Sequence, residues 1–187
     1  MKPAFTILLA LGVSLAARTA CAATAGAVTT VQPFVTALAP AGVPGGLLTG
    51  AVLSGAELDD EVLPSLWLVG TFAWTVNADR TISDARTSLY QYEAGFELVR
   101  RTPADEHWRL TPYAGAGLGA RTYSFASSPL VGYTGLDAYG ELGEALTRGG
   151  IGARLAVRDD IARQPDGGAA SNDVAISAAM VVGLAAH

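Results

Sequence analysis

The residues that could do chemistry are few, and their spacing narrows what that chemistry can be. Gly115-Ala116-Gly117-Leu118-Gly119-Ala120 has the G-x-G-x-x-A form of a dinucleotide-binding turn. Such a turn needs a strand before it and a helix N-terminus after it, so that backbone amides point at phosphate. Here the alternation runs on through Arg121-Thr122-Tyr123-Ser124-Phe125, so the glycines read as small residues clearing space on one face of a strand. Histidine chemistry has only His107 and His187 to draw on, and neither is followed by a serine two positions on. A Ser-His-Asp arrangement is therefore not expected. For metals there are no paired histidines, and Asp59-Asp60-Glu61 lacks calcium-loop spacing. The acidic patch Glu57, Asp59, Asp60 and Glu61 reads as a solvated turn. No catalytic residue, cofactor or metal site is expected.

What is left is a set of fixed charges: Glu93, Glu97, Arg109, Arg121, Asp137, Glu141, Arg154 and Arg158. Glu93 and Glu97 lie four apart on one strand face and could form an acid/base pair. With four arginines in the same set and no nucleophile beside them, a mutually neutralising salt-bridge network is the stronger reading.

The elements that carry these charges must suit an unusual composition. The chain has 187 residues, of which 50% are hydrophobic and only 16% charged, with 22 glycines. Its mean hydropathy is +0.34. That length suits one domain with a sizeable core. The apolar excess points towards a membrane. Beyond the first twenty residues, however, the richest run, Ile176 to Ala186, is about half the roughly 20 residues that a spanning helix needs.

Residues 1–22 read as a secretory leader. Lys2 supplies the positive start, Phe5 to Ala17 the apolar stretch, and Ala20-Cys21-Ala22 a small-x-small cleavage pattern. The competing readings are an uncleaved anchor, for which the run is short, and a lipoprotein. The lipoprotein is disfavoured by Arg18, which stands where an aliphatic residue is wanted. Cleavage after Ala22 removes the only cysteine, and with it any disulfide or thiol chemistry. It also removes Lys2 and Arg18, leaving 10 basic residues, all arginine, against 17 acidic ones. No basic stripe survives, which argues against a nucleic-acid partner.

Over residues 23–187 the dominant period is two, the mark of strands with two unlike faces. Ser88 to Arg100 sets Tyr90, Tyr92, Ala94, Phe96 and Leu98 against Gln91, Glu93, Gly95 and Glu97. The same rule holds over Trp108–Phe125, Leu136–Leu146, Ile151–Asp160 and Asn172–Leu184. Less regular strands are expected at Val31–Leu38, Leu47–Gly55 and Leu66–Asn77, which brings the count to eight. Long links, at Pro40–Gly46, Asn77–Arg86, Ser127–Gly135 and Gln164–Ser171, alternate with shorter ones. Glu144 falls on the apolar parity and is expected near a strand end or after a bulge.

Alternation alone does not separate a soluble sandwich from a membrane barrel. The polar face decides, because it carries charges of both signs at mid-strand beside many glycines. An eight-stranded barrel has an interior just wide enough for side chains to fill, and lipid tolerates no open sheet edge. The expected fold is an all-β, eight-stranded antiparallel up-and-down transmembrane barrel, with the charged set filling its lumen. Tyr90, Tyr92 and Trp108, near strand ends, suit an interfacial girdle.

The chain resembles the small outer-membrane β-barrel proteins of Gram-negative bacteria, the OmpA/OmpX-like class. The resemblance rests on the leader, on Pro33-Phe34 in the first strand and on Thr111-Pro112-Tyr113-Ala114 running into the glycine row. It also rests on Arg154-Leu155-Ala156-Val157-Arg158-Asp159 followed by Asn172-Asp173-Val174-Ala175-Ile176-Ser177. It implies residence in the cell outer membrane, with outer-membrane lipids and the barrel-insertion machinery as partners. One departure is the ending Leu184-Ala185-Ala186-His187, where such barrels usually carry a final aromatic residue. The expected role is non-enzymatic, structural or surface-interacting, with no extracellular ligand indicated. The alternatives are a narrow small-solute pore and a soluble, secreted, lipocalin-like binder, which would need its apolar residues inside.

Overall fold

The computed structural model describes residues 29–40, 48–75, 79–80, 87–100, 107–125, 132–163 and 170–184. The leader expected over residues 1–22 lies outside the described residues. So do most of the expected long links and residues 185–187, with His187.

Alternating sequence becomes strand wherever it was expected. The eight long strands are β1 Thr29–Pro40, β2 Leu48–Leu63, β3 Leu66–Thr75 and β4 Thr87–Val99. They continue with β5 Arg109–Phe125, β6 Tyr133–Arg148, β7 Ile151–Arg163 and β8 Ala170–Leu184. Each pairs antiparallel with its neighbours in sequence, and β8 pairs back onto β1. The sheet is therefore a closed up-and-down barrel, and every long strand has a partner on both sides. Asp79–Arg80 adds a two-residue pairing at the start of β2. Among the described residues no helix is long and apolar enough to cross a membrane.

Two tight turns mark one end of the barrel. β6 and β7 are joined by Gly149 and Gly150, with φ of 57° and 84°. Positive φ at both central residues gives the hairpin a twist that matches its strands. β2 and β3 are joined through Pro64 and Ser65, whose φ is 70°. The opposite, long-link end carries four links of six to eleven residues, while the nine-residue link between β4 and β5 lies on the side of the tight turns.

Two expectations change and one, for Glu144, narrows. The acidic patch is not a turn: β2 continues through Glu57, Asp59, Asp60 and Glu61 to Leu63, paired with β1 on one side and β3 on the other. Parity explains this, because Glu57 and Asp59 extend the inward row of Ala51, Leu53 and Gly55. Glu144 follows no bulge; it pairs in unbroken register with Pro112 and Leu155 and is exposed on the outer face, near the tight-turn end. Ser127–Gly135 is only partly a link, since β6 begins at Tyr133.

Pro112 sits inside β5 without disrupting it. The Arg100 N–H donates to the Pro112 carbonyl at 3.3 Å, just beyond the end of β4. In an antiparallel ladder a residue's N–H and C=O point to the same neighbour. The donor that proline lacks therefore faces the place where the β4 ladder stops.

Candidate functional site

The barrel interior is the candidate site, and strand parity builds it. Residues facing in from β4 are Leu89, Gln91, Glu93, Gly95 and Glu97; those from β7 are Arg154, Ala156, Arg158 and Asp160. Residues facing out are mostly large and apolar: Leu136 is 81% exposed, Leu118 71% and Leu142 69%. The fold is a soluble protein turned inside out, with charge buried and hydrocarbon exposed. A lipocalin-like binder needs the reverse.

Three buried guanidiniums organise the interior. Arg154, four residues above the Gly149–Gly150 turn, donates from Nη1 to Glu57 Oε1 at 2.8 Å and from Nη2 to Glu141 Oε1 at 2.8 Å. It also pairs with Glu97, and Asp59 lies 3.8 Å from Nη1. Arg158, two strand repeats higher, donates from Nε to Asp160 Oδ1 at 2.7 Å and pairs with Glu93. Arg121, nearer the long-link end, meets Asp173 at 2.5 Å, Asp137 at 3.2 Å and Asp160 at 3.6 Å. Asp160 thus links Arg158 to Arg121.

Neutral donors add to the guanidiniums. Thr30 and Gln32 of β1 both donate to Asp59, and Thr71 donates to Glu57 at 3.3 Å. Gln91 Nε2 donates to Glu93 Oε1 at 2.6 Å and lies 3.2 Å from Asp137 Oδ2 and 3.4 Å from Asp160 Oδ1.

Aromatic rings carry two of the guanidiniums, and glycines make room for the rings. Arg154 lies 3.6 Å from the Tyr113 ring centroid and Arg158 lies 3.8 Å from that of Tyr139, both within cation–π range. Tyr113 fills the space that a side chain at Gly143 would occupy. Tyr139 fills the space beside Gly95 and Gly117. The glycine row that mimics a dinucleotide motif therefore lies in an unbroken strand and leaves room for an aromatic ring.

Above Arg154 and Arg158, and beside the Arg121–Asp173 pair, sits an apolar layer. Leu38, Leu53, Leu89 and Tyr123 are inward-facing and fully buried, and they pack together with Ala51, Ala73 and Ala175. Each lies within a few residues of the long-link end of its strand. Between this layer and the guanidiniums lies a cavity of about 30 Å³. Its lining includes Glu93, Arg154, Arg158 and Asp160 together with Phe34 and Ala179.

Of the charged positions named from sequence, Glu93, Glu97, Arg121, Asp137, Glu141, Arg154 and Arg158 are buried inside the barrel and in ionic contact. Arg109 shares their parity but opens β5 at the rim, where it is half-buried. Sequence reasoning did not place Glu57, Asp59, Asp160 and Asp173 in this set. Parity finds Glu57 and Asp59 once β2 is extended to Leu63, and it already puts Asp160 and Asp173 on the polar faces of the expected strands Ile151–Asp160 and Asn172–Leu184. It also found no metal spacing, yet Glu93, Asp137 and Asp160 bring one oxygen each within 4.8 Å of one another. They come from three different strands, so no linear motif records them.

No protein-family model matches the chain, and no curated protein does. Solved structures do. Neisserial surface protein A superposes with a TM-score of 0.60 at 12% identity, over 84% of this chain and 97% of that one. The outer membrane protein OprG of Pseudomonas aeruginosa gives 0.57 at 13% identity, over 86% and 95%. Ail, the attachment invasion locus protein of Yersinia pestis, gives 0.51 at 12% identity, over 86% and 100%. With its closed eight-stranded sheet and superposition over more than four fifths of the chain in each case, the chain has the fold of the small eight-stranded outer-membrane barrels, the OmpA/OmpX-like class.

Proposed function

We propose that the protein is an integral outer-membrane barrel whose lumen is plugged by its Arg/Glu/Asp network, with a structural or surface-interacting role rather than a catalytic one. The observation that carries this reading is the distribution of side chains around a closed sheet. Twenty large apolar residues among those described are exposed, on all of the strands, while the guanidiniums of Arg121, Arg154 and Arg158 and most carboxylates are buried. Water would not retain such an exterior on a monomer; lipid would. Short turns of such barrels face the periplasm and longer loops face outward. Pro64–Ser65 and Gly149–Gly150 would then be periplasmic, and the long links would form the cell surface. The leader expected over residues 1–22 fits this route.

A surface role is also supported by the neighbours. One is a surface protein by name, and another is an attachment and invasion protein solved with a heparin analogue, sucrose octasulfate. The interior argues against a narrow pore, because the apolar layer and the ion pairs lie in series across it. Alkaline carbonate extraction of native membranes tests the reading. The protein should stay in the pellet and should migrate faster on gels unboiled than boiled. Release by carbonate with unchanged mobility would refute it.

A further inference from the structure

We propose that Glu93, Asp137 and Asp160 form a binding site for one hard divalent cation of the calcium type inside the barrel. The three carboxylates project from β4, β6 and β7 and bring one oxygen each within 4.8 Å of one another. Their convergence on a common point is visible in Gln91, whose Nε2 is within 3.4 Å of an oxygen from all three. An amide N–H group thus occupies a position that selects for positive charge. Turning the Gln91 amide over would replace that donor with Oε1, a fourth oxygen ligand.

Unused acceptor capacity is a second and independent observation. Glu93 Oε2 and Asp137 Oδ1 are buried and accept no hydrogen bond, and these two side chains are 1% and 0% exposed. Buried carboxylate oxygens without a donor are costly, and a cation satisfies several at once. The arginines leave a shortfall of charge, since Arg121 and Arg158 stand against the four carboxylates of Glu93, Asp137, Asp160 and Asp173. Arg158 is shared between Glu93 and Asp160, and Arg121 makes its shortest contact with Asp173. Below them, Arg154 already faces Glu57, Asp59, Glu97 and Glu141, so no spare positive charge comes from that side.

The donor chemistry narrows the ion. Carboxylate and amide oxygens without imidazole or thiolate suit calcium, magnesium or manganese rather than zinc or copper. Rigid strands fix the three carboxylates in an irregular arrangement, which calcium accommodates better than magnesium. The adjoining cavity of about 30 Å³ includes Glu93 and Asp160 in its lining and has room for a water or two to complete the coordination shell.

The test is calorimetric titration of calcium chloride into the chelator-stripped full chain, refolded in detergent. One equivalent should bind saturably. Asp137→Asn and Glu93→Gln should each weaken binding at least tenfold while the heat-modifiable gel shift is kept. Glu144→Gln, on the outer face, should bind as the parent does. Two results would overturn the site: no saturable binding by the parent chain, or binding that survives both lumenal substitutions. A third would overturn it as well: both variants more stable than a parent that binds nothing, which would assign the surplus charge to protons. The proposal rests on the closed barrel and not on its membrane, so carbonate release would leave it standing.

Discussion

Arg154 holds more of the interior together than any other single residue. It touches four carboxylates and covers the Tyr113 ring. Replacing it with methionine keeps the stem but leaves those carboxylates facing one another without a counter-charge. Breaking a buried ionic cluster this way costs about 3–5 kcal/mol, so Arg154→Met should lower the urea midpoint of the refolded barrel sharply. Glu144→Gln, exposed and outward, should shift it by less than about 0.5 kcal/mol. A second test lies at Gly143, where an added methyl would run into the Tyr113 ring. Gly143→Ala should cost about 1–3 kcal/mol by overpacking, and Gly143→Ala with Tyr113→Phe should recover little, because the clash involves ring carbons as well as the hydroxyl. Much of this site was legible at residue level. Period-two patterning over Ser88–Arg100 and Ile151–Asp160 picks out Glu93, Glu97, Arg154 and Arg158 directly. What patterning hides is which carboxylate meets which arginine, since Arg154 and Glu57 are 97 positions apart in sequence.

Among the strands, the ones read least well are those whose inward face is not uniformly polar. β2 turns Ala51 and Leu53 inward at one end and Glu57 and Asp59 at the other. Its inner face therefore changes character midway, and the acidic half imitates a solvated turn. The true turn is only Pro64–Ser65, and Ser65 adopts a left-handed φ of 70° that favours glycine. Ser65→Gly should leave the fold unchanged and raise stability by about 0.4–1 kcal/mol, net of the extra freedom glycine brings to the unfolded chain. The outer faces make a sharper prediction. Val157 is exposed near the middle of β7, with Leu142 and Ile176 beside it on β6 and β8. In a bilayer, Val157→Arg should cost about 2–4 kcal/mol, read as reversible unfolding from lipid vesicles. A soluble barrel would register almost nothing, so the size of this one effect distinguishes the two environments.

Taken whole, the molecule is closed twice along its axis. The apolar layer of Leu38, Leu53, Leu89 and Tyr123 occupies the long-link end beside Arg121 and Asp173, and the Arg154 and Arg158 clusters fill the interior beneath it. The two closures differ in kind. In the plugged reading, apolar side chains keep ions out of the first, and the packed, mutually bonded side chains bar free passage through the second. Opening either one alone leaves the other in place. Planar bilayers carrying the purified barrel should therefore show no steady conductance steps. The double variant Leu53→Ala, Leu89→Ala should also be silent, although it loses about 2–5 kcal/mol at each truncated leucine. Steady steps from the parent chain would show that the interior rearranges into a path, and would move the protein from the plugged class to the pore class. Steps confined to the double variant would show that the apolar layer alone is the seal, with the ion pairs serving only to hold the strands together.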